Sequence, residues 1–211
     1  MKVSIIIPTV KNEPVTVKSL KHCPVSYQLI LSRKFGLGYA RNYGARQAKH
    51  DLLVFLDDDL ILNQEIWETI LTTCKGEFRM TKAKFSDLPC TRVMTIHAED
   101  FWRIGGFDES IKFTGEDRVF YIEAIQRELN FSEIPMKFVV HVHHERRSYN
   151  KRVAINMILE SCRSFAKYGF KYARLTHYFI YSSIKEMRLR SFVIRLLAFT
   201  YYALKVMLTG R

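Results

Sequence analysis

The residues that point most directly to chemistry are three consecutive aspartates, Asp57, Asp58 and Asp59. They follow the apolar run 52–56. A short apolar run bounded by polar residues predicts a buried strand that delivers its last residues to a site at its carboxyl edge. Three carboxylates at one place raise each other's pKa unless a cation neutralises them. Their oxygens suit Mg²⁺ or Mn²⁺, which keep waters and share their ligands with substrate phosphates. A helix N-cap needs only one aspartate, so the triplet favours a metal site.

Strands and helices alternate around the triplet. Before it, the sequence predicts strands at 3–7, 27–31 and 52–56, a short helix at 13–21 and a longer one at 39–49. After it, Asn63 is a good N-cap for an amphipathic helix at 64–73. This alternation predicts an α/β fold with a mostly parallel sheet, helices on both faces and ligands at the carboxyl ends of the strands.

Beyond Cys74 the pattern becomes more mixed. Strands are predicted at 77–84 and 92–97, and a short helix at 99–104 that Gly105 and Gly106 end. A helix is predicted from 116 to about 129, since apolar residues recur there at helical spacing. Residues 137–142 are predicted to form the last strand of the core.

Charge divides the 211-residue chain into two parts. Residues 1–144 hold 19 Lys and Arg against 18 Asp and Glu, whereas residues 145–211 hold 14 against 3. We therefore predict a near-neutral domain at 1–147 and a basic helical region at 148–211. The four cysteines are far apart and lack zinc-site spacing, which indicates reduced thiols in a cytosolic protein. The first apolar run, 3–7, is too short for a signal peptide.

The basic region ends in an apolar segment, Ser191 to Leu208, with Arg195 and Lys205 on one narrow face. These charges argue against a membrane-spanning helix and favour one that lies in the interface of an anionic membrane. The alternatives are a helix docked on its own domain or a dimer interface.

Five motifs occur in a fixed order along residues 3–144: Pro8-Thr9 with Asn12-Glu13, then Gly38 to Gly44, Phe55 to Asp59, Phe101 to Glu109, and Gly115-Glu116-Asp117. In this order they resemble the family-two glycosyltransferases of the GT-A fold. That resemblance implies a Rossmann-like GT-A domain and an inverting, metal-dependent hexosyl- or N-acetylhexosaminyltransferase with a nucleotide-sugar donor.

The resemblance also implies a role for each donor-side residue. Asp59 would bind the metal, and Asp57 would lie near the nucleotide ribose or share the metal shell. The remaining predicted donor-binding residues are Pro8, Thr9, Glu13, Arg41, Asn42 and Asp58. Arg41 would meet the donor diphosphate as a charge-assisted hydrogen-bond donor, although it could equally cap a strand or pair with a carboxylate.

On the acceptor side, Asp117 matches the family's catalytic base, and Glu116 would position the acceptor. The alternative is that both are first-turn residues that stabilise a helix dipole. His143 is the predicted third metal ligand, with His141 in reserve because alternation places both on one face of the strand. Exposed surface histidines are the alternative.

One departure from the family concerns the nucleotide. Members usually have a further strand that ends in an Asp-Asp-Gly-Ser-like turn against the base, but here strand 27–31 runs into Ser32-Arg33-Lys34. UDP- and GDP-linked donors therefore both stay open. The expected acceptor is a glycan, either lipid-linked or part of the cell envelope. The expected location is the cytoplasmic face of the cell membrane.

Three other functions fit parts of the sequence. An aspartate-nucleophile phosphatase would have Thr or Val soon after the second aspartate, whereas this chain has Leu60-Ile61 there. A nucleotidyltransferase would need a glycine-rich N-terminal loop, which is missing here. A nucleic-acid-binding module would fit the sequence pI of about 9.6. However, the basic residues lie in an apolar-faced tail, so no nucleic acid is expected as a partner.

Overall fold

The computed structural model of the protein describes residues 1–82, 89–112, 115–142 and 200–201. The strands are β1 (Lys2–Pro8), β2 (Ser26–Ser32), β3 (Leu52–Leu56), β4 (Leu60–Leu62), β5 (Glu77–Lys82), β6 (Pro89–His97), β7 (Asn130–Ile134) and β8 (Val139–His141). The helices are α1 (Val15–Ser19), α2 (Leu37–Arg46), α3 (Ile66–Leu71), α4 (Ala98–Ile104) and α5 (Glu116–Gln126), with 3-10 turns at Leu20–His22 and Met136–Phe138.

The chain divides into two compact units, and all of these elements lie in the first. That unit comprises Met1–Lys112 with Glu116–Arg146, and the second comprises Phe113–Gly115 with Arg147–Arg211. The predicted basic region, including the segment 191–208, lies almost wholly outside the described residues. In the part of the chain that the structure does describe, no helix is long and apolar enough to span a bilayer.

Six strands form one sheet in the order β2-β1-β3-β6-β5-β7. The pairs β1–β2, β1–β3 and β5–β7 are parallel, and β6 runs antiparallel to both its neighbours. The predicted α/β fold with a mostly parallel sheet is therefore confirmed. Because β1, β2 and β3 point the same way, the residues after Pro8, Ser32 and Leu56 lie at one edge of the sheet.

Alternation along the central strands builds a core on each face of the sheet. Ile5 and Val54 point into one cluster, which α1 and α3 cover, while Ile6 and Phe55 point into the other, which α2, α4 and α5 cover. All four of these side chains are fully buried. Helices on both faces were predicted, and the two clusters confirm them.

The predicted last strand, 137–142, exists only at Val139–His141 and lies outside the main sheet. Its residues form a 3-10 turn and then β8, which pairs antiparallel with β4 in a separate two-stranded sheet. The last strand of the main sheet is β7, at an edge where only Ile134 of its five residues is buried. Such a strand carries no clear apolar alternation, so the sequence pattern did not reveal it.

Gly44 lets α2 approach β1 closely, since a Cβ atom there would overlap Ile6 Cγ2. We expect Gly44→Ala to destabilise the protein by about 1–3 kcal/mol through overpacking. Helix propensity alone would favour alanine by about 1 kcal/mol, so the sign of the change in urea unfolding tests the contact. An equal or higher unfolding midpoint would contradict it.

Candidate active site

The aspartate triplet forms the turn between β3 and β4, and its backbone is fixed from two sides. The Asp57 amide donates to the Arg92 carbonyl at 2.9 Å. The buried Thr16 hydroxyl of α1 donates to the Asp57 carbonyl at 2.7 Å and accepts from the Leu60 amide at 2.8 Å. One side chain thus closes the turn that presents all three carboxylates.

Thr16→Val replaces this hydroxyl with a methyl group of similar size. It leaves the buried Leu60 amide and the Asp57 carbonyl without this partner, so we expect a loss of about 1–3 kcal/mol in unfolding free energy. We also expect weaker Mn²⁺ binding, because the turn is no longer held in one shape. Thr16→Ser keeps the hydroxyl and should behave like the wild type in both measurements. Equal losses in the two variants would contradict the role of the hydroxyl.

Asp58 is bound to the loop that follows β1. Its carboxylate accepts from Thr9 Oγ1 at 2.6 Å and from Lys11 Nζ at 2.9 Å. The Lys11 amide also donates to Thr9 Oγ1 at 3.0 Å. Asp58 therefore joins the edges of β1 and β3, where the predicted residues Pro8 and Thr9 are buried and Glu13 is exposed.

Asp59 faces a histidine at the other end of the domain sequence. Its Oδ1 lies 3.1 Å from His141 Nε2, and both side chains are mostly buried. The β4–β8 pairing sets this geometry: Leu60 lies opposite His141, and the Val142 amide donates to the Asp59 carbonyl at 2.8 Å. Here it is His141, the reserve choice, that meets the triplet, while His143 lies outside the described residues and stays a prediction.

Asp57 is the partly exposed member of an otherwise buried ionic group. Arg41, only 2% exposed, donates through Nη2 to Asp57 Oδ1 at 3.1 Å and through Nη1 to Glu116 Oε1 at 2.6 Å. Desolvation raises the pKa of Asp57 to about 6, and the charges of Asp59 and Glu116 add to it, whereas Arg41 opposes the rise. The site thus holds more negative charge than its own cations balance.

Asp117 begins α5 next to Glu116 and is half-buried. Desolvation raises its pKa to about 6, the neighbouring Glu116 charge adds to the rise, and Arg118 and Arg41 oppose it. A carboxylate with this pKa is ionised at neutral pH and is basic enough to take a proton from a hydroxyl as its bond to carbon forms.

The side chain of Asn42 hydrogen-bonds the loop that follows α4 instead of pointing towards the triplet. Its amide donates to the Phe107 carbonyl and to Glu109, and it accepts from the Phe107 amide at 2.9 Å. Gly106 has φ +70°, and a Cβ atom there would lie 2.7 Å from Asn42 Oδ1. Asn42 thus fixes the loop after α4, and its predicted contact with the donor stays a prediction.

Sequence reasoning missed Thr16 and Lys11. The partners of each are more than 40 residues away in sequence, so no local pattern indicates them. Lys11 follows Thr9 in the loop after β1, and a basic residue beside a predicted donor loop was the one available signal.

No group of three or more His, Cys, Asp or Glu side chains among the described residues is arranged to hold a metal ion. Asp59 and His141 supply one oxygen and one nitrogen on the same side of the turn. Any further ligands would have to come from Asp57, from residues outside those described, or from a bound substrate and water.

Comparisons with solved structures show the fold. A mannosyltransferase from Pyrobaculum calidifontis in complex with GDP-Man and Mn²⁺ aligns over 99% of this chain and 79% of its own, with TM-score 0.60 and 12% identity. A variant of Drosophila β1,4-galactosyltransferase 7 in complex with manganese, UDP-Gal and xylobiose aligns over 72% of this chain and 78% of its own, with TM-score 0.58 and 14% identity. The catalytic domain of the same Drosophila enzyme with xylobiose gives TM-score 0.59 at 16% identity over 71% and 74%.

Sequence comparison adds a family. No curated protein matches the sequence, but the family model described as glycosyl transferase family 2 matches residues 25–80. That stretch runs from the start of β2 through Arg41 and the triplet into β5. Residues 25–80 are thus similar to glycosyl transferase family 2, and the fold is one that these solved glycosyltransferases share.

Proposed function

We propose that the protein transfers a sugar from a UDP- or GDP-linked donor to a hydroxyl acceptor with inversion at the anomeric carbon, and that transfer depends on Mn²⁺ or Mg²⁺. The observation that carries the proposal is the convergence of Asp57, Asp59 and His141 at the carboxyl edge of the sheet. Arg41 joins Asp57 to Glu116, and Asp117 is the next residue after Glu116. Donor and acceptor chemistry would then share one connected site.

The donor set fits a divalent cation. Asp59 Oδ1 and His141 Nε2 approach to 3.1 Å, and the excess negative charge around Asp57 would be relieved by two positive charges. Because one ligand is an imidazole nitrogen, Mn²⁺ fits better than Mg²⁺, which prefers oxygen. When bound, the ion would neutralise charge on the leaving diphosphate as a Lewis acid. The bound metal in the solved Pyrobaculum and Drosophila complexes supports this assignment.

The protein's own residues would direct a single displacement. The acceptor oxygen forms a bond to the anomeric carbon while the bond from that carbon to the β-phosphate oxygen breaks and its electron pair leaves with the nucleoside diphosphate. Asp117 takes the acceptor proton during the displacement. Thr16 and Thr9 hold the triplet turn and the β1 loop in place, so the donor meets a pre-organised edge.

A thermal-shift panel of UDP- and GDP-linked sugars with Mn²⁺ tests the proposal. A donor at 100 times its Kd adds about 2.7 kcal/mol of apparent stability. Each donor that binds is then offered to a glycan acceptor panel, and NMR of the product reports the anomeric configuration. Mn²⁺-dependent stabilisation and an inverted product would support the assignment. Retention of configuration, or no stabilisation by any member of the panel, would refute it.

We also propose that the acceptor is lipid-linked and that the enzyme works at the cytoplasmic face of the cell membrane. The support is the net +11 charge of residues 145–211 together with their amphipathic last segment. The full chain should sediment with vesicles that contain about 30% phosphatidylglycerol and be released by salt. Equal sedimentation with pure phosphatidylcholine vesicles would contradict the role of charge, and none with either would contradict membrane contact.

A further inference from the structure

Arg41 joins two groups that the sequence places far apart. Its two terminal nitrogens bind different carboxylates: Nη2 binds Asp57 after β3, and Nη1 binds Glu116 at the start of α5. The guanidinium carbon lies 5.4 Å from the centre of the Phe107 ring. A single rigid planar group therefore spans the distance between the donor-side turn and the acceptor-side helix.

Burial limits what else Arg41 can touch. The residue is 2% exposed, and its buried Nε has no hydrogen-bond partner among the residues that the structure describes. A guanidinium this deep would have to leave its packing to reach a diphosphate in solvent, and it would leave two carboxylates unpaired. In this conformation, Arg41 acts on neighbouring side chains rather than on the donor.

Glu116 is also buried and already hydrogen-bonded. It is 3% exposed, and its Oε1 accepts the short hydrogen bond from Arg41. Successive helix residues point about 100° apart, so an inward-facing Glu116 leaves Asp117 facing a different direction. Asp117 is half-buried and its carboxylate accepts from the Arg118 amide. Of the two acidic residues, only Asp117 has a side chain that is partly open.

We propose that Arg41 is a positioning residue that holds Glu116 turned inward, so that Asp117 alone meets the acceptor, and that it links this arrangement to Asp57 on the donor side. Glu116 is then also a positioning residue and not a contact of the acceptor. The inference rests on the proposed function, because it assigns roles within the same site.

A double-mutant cycle tests the ionic link without any substrate. Arg41→Met leaves the buried Glu116 and the partly exposed Asp57 without this partner and should lower the melting temperature by about 10 °C. Adding Glu116→Gln removes one of those charges, so the double variant should melt about 5 °C above Arg41→Met. Arg46→Met, an exposed arginine of the same helix paired with Glu109, should change the melting temperature by less than about 2 °C. Additive losses in the double variant would overturn the link.

Activity tests the positioning role with the donor and acceptor that the function panel identifies. Arg41→Met should lower kcat by about 100-fold or more. Adding Glu116→Gln to Arg41→Met should raise kcat again by at least about tenfold. Were Arg41 instead a diphosphate ligand, the second change would restore nothing, and both variants would lose the same affinity for UDP or GDP with Mn²⁺. Arg41→Lys reaches only one carboxylate and replaces Arg41→Met if the latter does not fold.

The pH profile separates positioning from a general structural defect. The charges that face Asp117 are Glu116 and Arg118 on α5 and Arg41 on α2, and the Cys90 thiol of β6 faces it as well. Loss of Arg41 should move the acidic limb of kcat/KM up by about half a pH unit or more, and Glu116→Gln should move it back. A merely structural defect would scale the profile without shifting it, which would overturn the proposal. If the wild type transfers no sugar at all, the proposed function fails, while the melting cycle still decides whether the link exists.

Discussion

Asp117→Asn should lower kcat by about 10³-fold, because it removes the proposed base for the acceptor proton while keeping the shape of the side chain. Binding of the donor with Mn²⁺ should change by less than about threefold, since Asp117 has no hydrogen bond to Asp57, Asp59 or His141 among the contacts of the site. Calorimetric titration with UDP or GDP and initial-rate measurements give the two numbers. Full turnover in the variant would show that another group is the base.

The pKa of about 6 for Asp117 also sets the pH dependence of the wild type. Asp117 must be ionised to accept a proton, so kcat/KM should fall about tenfold per pH unit below 6 and level off above 7. Stability should show the opposite trend. Because folding raises this pKa above the ordinary value of an aspartate, 3.8, the folded state binds more protons between pH 4 and 6, and the contribution of Asp117 to stability is lost as pH rises through 6.

Asp117→Asn should therefore melt a few degrees higher than the wild type at pH 8 and nearly the same at pH 4. A higher melting temperature together with lost turnover is a signature that a misfolded variant cannot produce. Equal melting curves at both pH values would contradict the buried, raised pKa.

Asp59→Asn should abolish stabilisation by Mn²⁺ and lower transfer by about 10³-fold. Its carboxylate is the charged partner of His141, and a metal on a leaving diphosphate supplies several kcal/mol of transition-state stabilisation. Manganese binding can be followed by the loss of the free-ion electron paramagnetic resonance signal on titration. Removal of the metal with EDTA should lower wild-type transfer to the level of the variant.

Asp58→Asn is the matched control for the metal. Asp58 has the same side chain one residue away, but its carboxylate is occupied by Thr9 and Lys11. Its replacement should keep Mn²⁺ affinity within about threefold of the wild type and should instead lower stability, since it weakens the partly exposed Lys11–Asp58 ion pair. A loss of Mn²⁺ affinity as large as that of Asp59→Asn would mean that the middle aspartate is a ligand.

Much of the donor side could be predicted from the sequence because its signals are local. The run Leu52–Leu56 is wholly apolar and wholly buried, so the position of the triplet at the end of a central strand followed directly. Gly105 ends α4 in a left-handed conformation with φ +102°, as a glycine after an apolar-periodic segment indicates.

The long-range contacts could not be predicted in the same way. The sequence left open whether Arg41 binds a diphosphate, caps a strand or pairs with a carboxylate. Only the packing of α2 against α5 shows that it pairs with Glu116, 75 residues away. Likewise, alternation placed His141 and His143 on one face, and the resemblance to the family favoured His143. The register of β8 on β4 instead brings His141, the reserve choice, to Asp59. Three-residue strands such as these are too short to show a period.

The small sheet of β4 and β8 also orders the events by which the site is made. During synthesis the triplet leaves the ribosome about 80 residues before His141, and domains fold as their last elements emerge. Before β8 pairs with β4, Asp59 has no imidazole beside it. Before α5 forms, Arg41 can pair with Asp57 but not yet with Glu116. We therefore expect the nascent chain to bind a metal, and to begin sugar transfer, only after β8 has been synthesised and has paired with β4.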